Sequence, residues 1–280
     1  RICSKLRECL HLNRRSVTKT LMKSSLESTV QEVLQLLDAD DGKSFEEKKK
    51  EAIAILRKQT NPSLAGTLVD FAVADVVGKQ VKARFWEAGP IKCPDYNIVL
   101  RQIEDDDRDC FISLQEENSY IRDMLNEESY RNALWKDHCG EKSLMLSIIL
   151  DDQYIGYCGI KNTAQEPWEI AIELYKKWTN HGLGRIAISA MLDAMVIRLG
   201  VRQFRIRIDP SNHASQKLFE KMGAQPNGVS EYLILDQKEL EKVEKENLNL
   251  IDAATVALAD KFGVEPRKLL SHVLEYTLSW

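Results

Sequence analysis

The sequence predicts an α+β protein. A stretch of mixed strands and helices from 91 to 236 lies between two stretches of helical period, 1–90 and 237–280. Two observations carry this expectation. The apolar spacing changes from a helical repeat to strand-like alternation and back at those borders. The net charge changes with it, from +4 over the first ninety residues to −6 over the middle and −2 over the tail. Ala88-Gly89-Pro90 and Cys93-Pro94 read as the linker at the first border.

In the first stretch, Leu26, Val30, Val33, Leu34 and Leu37 share one helical face. Ser24 with Glu27 and Ser44 with Glu47 read as capping boxes that open two helices. Asn61-Pro62-Ser63 opens a third helix, to about Arg84, and residues 2–21 read as one more. Lys48–Lys50 read as a solvated helix face. In the middle, strands are expected at Asn97–Ile103, Leu144–Leu150, Tyr154–Ile160, Glu169–Leu174, Phe204–Ile208 and Tyr232–Leu235. Helices are expected at Asp105–Glu117, Glu127–His138, Gly182–Leu199 and His213–Met222. The tail after Gln237 reads as helical, broken at Gly263 and Pro266. Each flank is amphipathic and needs a partner surface, so the tail is predicted to pack on 1–90 as one helical module, with pairing between two chains as the alternative.

Hydrophobic residues at 44% and charged residues at 29% fit an ordinary globular protein. No apolar run approaches the roughly 20 residues that span a bilayer, so no membrane association is expected. The chain opens at Arg1 with no basic-then-apolar leader, and no secretory signal is expected. Six cysteines without a C-x-x-C suggest reduced thiols in a cytoplasmic protein and no structural zinc. The net charge of −4 argues against a general nucleic-acid binder. Ala259–Leu274 has the outline of a helix-turn-helix, but its second half offers only Arg267 and Lys268 as basic residues. A packed helical pair is the better account.

The segment Trp168–Arg185 carries the most chemistry. It reads as a strand, a short loop, and then Gly182-Leu183-Gly184 opening a helix. Unpaired backbone N–H groups and the helix dipole make such a turn a candidate diphosphate cradle, spanning Asn180, His181, Gly182, Leu183, Gly184 and Arg185. Along the strand, Trp168, Ile170, Ile172 and Leu174 share one face, and Glu169, Ala171, Glu173 and Tyr175 share the other. Two carboxylates therefore stand together beside the cradle. After the next strand comes Asn212…Ser215…Leu218-Phe219-Glu220-Lys221…Gly223.

Together these two segments resemble the GNAT superfamily of acyl-CoA-dependent N-acetyltransferases. The lead-in from Glu169 to Gly182 looks most like the branch that acetylates ribosomal-protein N-termini. The resemblance covers about half the chain and implies a mixed, mostly antiparallel sheet with flanking helices. It implies acetyl-CoA as acyl donor, no metal, and a primary amine as acceptor, on a small molecule or a peptide N-terminus. Thr179 and Phe219 depart from the family pattern, in which a Gln or Arg and often a tyrosine stand there.

Transfer to an amine needs a proton acceptor. Glu169, thirteen residues before Gly182, resembles the family's base, with Glu173 as orienter or alternative base. By the same resemblance, a backbone N–H near Glu173, Leu174 and Tyr175 meets the acetyl oxygen, Asn212 holds the pantetheine arm, and Ser215 and Phe219 lie near the thiol. Tyr175 and Tyr232 are weak candidates for the acid. Residues 97–130 hold ten acidic and three basic residues, an expected wall that would favour a cationic acceptor. A silent acyl-CoA sensor, or a helical interaction protein on a GNAT scaffold, is the alternative, and a homo-oligomer stays open.

Overall fold

The computed structural model describes residues 24–58, 60, 62–119, 122–231 and 237–280. The helix expected at 2–21, the strand expected at 232–235, with Tyr232, and the side chains of the Ser24–Glu27 capping box lie outside the described residues.

Among the described residues, three helices come first, α1 (Ser24–Asp38), α2 (Phe45–Arg57) and α3 (Pro62–Trp86). Ser44 and Glu47 form the expected capping box, each side chain meeting the other's backbone N–H. Val33, Leu37, Ala52, Leu56, Val69 and Val76 from all three helices are buried as a core of their own. Lys48 is buried and spends its charge on Asp41 at 3.2 Å, so it is no solvated lysine. The far end of α3 leaves this bundle: Phe85 enters the core of the sheet domain, and Arg198 donates to the carbonyls of Phe85 and Gly89, closing the helix end.

The remaining described residues build one eight-stranded sheet in the order β1-β2-β3-β4-β5-β6-β8-β7. The strands are β1 (Ile91–Cys93), β2 (Ile98–Gln102), β3 (Leu144–Leu150), β4 (Gln153–Ile160), β5 (Trp168–Leu174), β6 (Gln203–Ile208), β7 (Gln225–Glu231) and β8 (His272–Ser279). Every pairing is antiparallel except β5 with β6. Helices α4 (Arg108–Asn118) and α5 (Glu128–Cys139) connect β2 to β3. Helix α6 (Leu183–Leu199) crosses from β5 to β6, and α7 (His213–Lys221) leads to β7. Helices α8 (Gln237–Glu246) and α9 (Ala253–Phe262) precede β8. Ile188, Met191, Leu192 and Met195 of α6 pack against Trp168 and Ile170 of β5, so α6 covers one face. The opposite face of β5 meets α4, where Gln115 reaches Glu173.

The tail corrects the expected helical module. Residues 272–279 are a strand inserted between β6 and β7, not a helix packed on α1–α3. Val273, Leu274, Tyr276 and Leu278 are buried, alternating with Glu275, Thr277 and Ser279. The side chains of Leu274, Tyr276 and Leu278 join the sheet core, and the backbone of the strand pairs with β6 on one side and β7 on the other. The helix-turn-helix reading fails with it, because Pro266–Leu270 is a single 3-10 turn that runs into β8. Glu244 of α8, 1% exposed, pins this turn through Lys268 at 3.0 Å and Ser271 at 2.8 Å. Strands β1, β7 and β8 were all missed by the sequence reading.

Candidate active site

Strands β5 and β6 pair only at Trp168 with Phe204 and Glu169 with Arg205, then separate. On its other side β5 is paired with β4 along its length, and Lys161 N–H to Glu169 O and Tyr175 N–H to Ile155 O set the alternation. Odd-numbered residues of β5 therefore turn their amides to β4, and even-numbered residues turn theirs toward β6. Past the last β5–β6 pair, the N–H groups of Ile172 and Leu174 face the gap between the strands. This narrows the expected 173–175 donor to Leu174. Tyr175 is withdrawn from it, since its N–H is held by Ile155 and its hydroxyl donates to the Cys110 carbonyl at 2.7 Å.

At the C-terminal end of β5 the chain turns through Asn180 and Gly182, both at positive φ, into α6. Gly182 is the N-cap and carries no side chain to satisfy the first N–H groups of the helix. A Cβ placed there would meet nothing within 4 Å, so this turn leaves room for a ligand. Asn180, His181 and Arg185 are exposed around it, and the Leu183 side chain packs against the sheet core. Gly184 serves a different purpose. A Cβ there would lie 3.3 Å from Ile172 Cδ1 and 3.5 Å from Leu174 Cδ1, so this glycine lets α6 approach β5.

Asn212 caps α7 through Oδ1, which accepts from the Ser215 N–H at 3.1 Å. Asn212 is exposed and Ser215 half-buried. Phe219 is 2% exposed in the sheet core, which corrects the expectation that its ring touches a cofactor. The aromatic ring at that position is held by packing.

The two glutamates face opposite fates on one polar strand face. Glu173 is half-buried, and its Oε2 accepts from Tyr157 at 2.8 Å and from Gln115 at 2.7 Å. Glu169 is 6% exposed and ringed by cations: Lys161 at 2.5 Å, Arg207 at 2.8 Å and Arg205 at 3.4 Å. Burial alone would raise its carboxyl, but Lys161 and Arg207 outweigh it and hold the group below the usual carboxylate range. Such a carboxylate is a weak base, which argues against the first choice made from the sequence.

Beside Glu169 lies a cavity of about 450 Å³, lined by Phe111, His138 and Tyr157 together with the cation cluster. None of the ten acidic residues of 97–130 lines it; Asp107, for example, is buried in a bidentate pair with Arg101. His138 stacks on Phe111 with ring centroids 4.1 Å apart. Burial pushes its imidazole down to about 4, from an ordinary 6.5. The neutral ring is the folded form, so its contribution is full above the unfolded value and is lost as pH falls toward 4. Between those values the slope is about 1.4 kcal/mol per pH unit. Urea unfolding at pH 7 and pH 5.5 is expected to show a smaller loss for His138→Phe than for the unsubstituted chain.

Gln115, Tyr157, Lys161, Arg205 and Arg207 were not singled out from the sequence. Arg205 and Arg207 alternate with Phe204, Ile206 and Ile208, which places them on the polar face beside Glu169, and that signal was legible. The others depend on elements distant in the chain.

Residues 97–225 match the family model described as an acetyltransferase (GNAT) domain. Among curated proteins none matches the chain. Similar solved structures include RimL, a ribosomal alpha-N-protein acetyltransferase, in complex with coenzyme A. It is 14% identical, with 68% of this chain and 97% of that one covered and a TM-score of 0.48. RimJ of Mycobacterium smegmatis in complex with CoA disulfide is 15% identical, with 68% and 86% covered and a TM-score of 0.45. A GNAT-family acetyltransferase of Bacillus anthracis is 17% identical, with 68% and 97% covered and a TM-score of 0.44. The match assigns residues 97–225 to an acetyltransferase (GNAT) domain, and the separated β5–β6 pair and the glycine turn lie inside it.

Proposed function

We propose that the protein moves an acetyl group from acetyl-CoA to a primary amine, on a peptide N-terminus or a small molecule, in the cytoplasm. One observation carries this reading. The gap between β5 and β6 has free backbone amides along one edge and the uncapped N-terminus of α6 at its end. That is a path for an extended pantetheine arm with a diphosphate at its outer end. Bound acetyl-CoA supplies an activated acyl carbonyl.

The chain's own residues do the rest. The N–H groups of the Asn180–Arg185 turn meet the diphosphate, and Asn212 and Ser215 lie along the arm. The Leu174 N–H donates to the acetyl oxygen as charge develops there. Both hydrogen bonds to Glu173 fall on Oε2, which leaves Oε1 to accept the proton of the attacking amine. Glu169 acts as counter-ion to Lys161, Arg205 and Arg207, a positioning role.

Release of free thiol from acetyl-CoA, measured across peptides and amines, tests the reaction. Binding of acetyl-CoA with no thiol release for any acceptor would overturn it in favour of a silent sensor. The cradle is tested separately at Gly182. Asp and Asn both tolerate positive φ and differ only in charge. Gly182→Asp is expected to bind acetyl-CoA about tenfold more weakly than Gly182→Asn in calorimetry, from like-charge repulsion in the turn. Equal affinities would mean that the diphosphate lies elsewhere.

A further inference from the structure

The cavity beside Glu169 has the opposite charge from the acidic wall expected of it. Its charged lining comprises Asp137, Lys142, Lys161, Glu169, Arg205 and Arg207. Asp137 and Lys142 neutralise each other at 2.8 Å. The remaining three cations share a single carboxylate, so two positive charges are left over. His138 adds none, because burial keeps its ring neutral at ordinary pH. The Nε of Arg205 is buried with no hydrogen-bond partner. Lys161 and Arg207 keep 48% and 29% of their side-chain surface exposed, so their donors remain accessible.

Resting on the acetyl-transfer reading, we propose that Lys161, Arg205 and Arg207 bind a carboxylate of the acceptor, so that the preferred acceptor is an acidic peptide. The three cations line a pocket that Phe111, His138 and Tyr157 also line, and Lys161 and Arg207 keep exposed side-chain surface. A carboxylate takes up such donors in a charge-assisted, paired geometry that an amide cannot match. The placement along the strands sets where that carboxylate lies. Arg205 is level with Glu169, so continuing the parallel register puts Arg207 level with Ala171, three residues short of Leu174. At about 3.3 Å per residue this is about 10 Å from the point where the amine would meet the acetyl group. An α-carboxylate next to the amine is too close. A glutamate side chain two residues after the N-terminal amine reaches the required distance.

The test uses three amidated tetrapeptides, Ala-Ala-Glu-Ala, Ala-Ala-Gln-Ala and Ala-Ala-Lys-Ala. Their binding to the full chain in the presence of CoA is measured by calorimetry. Binding does not depend on turnover, so the result stands apart from whether the acetyl group moves, which thiol release reports. The Glu peptide is expected to bind about 10- to 100-fold more tightly than the Gln peptide, the size of one or two hydrogen bonds to a charged group. The Lys peptide is expected to bind most weakly, and the preference should shrink at high salt. In Arg207→Gln the Glu-to-Gln preference is expected to fall toward one, with Arg207→Lys retaining part of it. Equal binding of Glu and Gln peptides, tighter binding of the Lys peptide, or no binding of any of them would each overturn the proposal. The peptide comparison within the unsubstituted chain does not depend on how the variants fold.

Discussion

Glu173→Gln is expected to lower kcat by about 10²–10⁴-fold, the contribution of a direct base, while acetyl-CoA affinity changes little. The carboxamide keeps the volume of the side chain and can still accept from Tyr157 and Gln115, so the loss would report proton transfer and not collapse of the network. The limb of the pH–rate profile assigned to the base should also disappear. Glu169→Gln is expected to behave differently. It leaves Lys161, Arg205 and Arg207 without their shared anion, and the cost falls on stability, about 1–3 kcal/mol by urea unfolding. Its effect on kcat should be the smaller of the two. A greater loss of kcat in Glu169→Gln than in Glu173→Gln would return the role of base to Glu169.

Removing β8 is expected to abolish folding of the acetyltransferase domain. A chain ended at residue 236 keeps every residue of the family match but loses the strand that joins β6 to β7. Leu274, Tyr276 and Leu278 are at most 1% exposed, and Tyr276 packs its ring edge-on to Phe262 at 4.9 Å while its hydroxyl reaches Glu220. Their departure would open the core along two strands at once. Tyr276→Ala in the full chain is expected to cost about 3–5 kcal/mol in urea unfolding, as truncation of a large buried ring does. Tyr276→Phe, which loses only the hydrogen bond to Glu220, should cost about 1 kcal/mol. A soluble fragment 91–236 with cooperative unfolding would show that β8 is dispensable.

These two results bear on different ends of what the sequence could disclose. The strands from β2 to β6 and the helices between them were legible, since each carries its own period and its own stop signals. Asp151 and Asp152, both at positive φ, turn β3 into β4 where two aspartates interrupt the apolar runs. The glycine turn was legible too, because Gly182 is required by its own φ of +80°. Strand β8 was not read, although Leu274, Tyr276 and Leu278 alternate with polar residues. Its place is a slot between strands that end more than forty residues earlier in the chain, and no local signal names that slot.

The sequence by itself determined the order of the elements, the polar face of β5 and the turn that opens α6, because these follow from local spacing and backbone freedom. Only the tertiary structure decided the surroundings of each carboxylate. Glu169 and Glu173 are equivalent in the strand pattern. Lys161 of the neighbouring strand and Arg205 and Arg207, brought alongside by the parallel crossover, surround the first, while Tyr157 and Gln115 hold the second. The electrostatic field at a buried carboxylate comes from whatever the fold carries to within a few ångströms of it, and those residues lie on other strands and on α4.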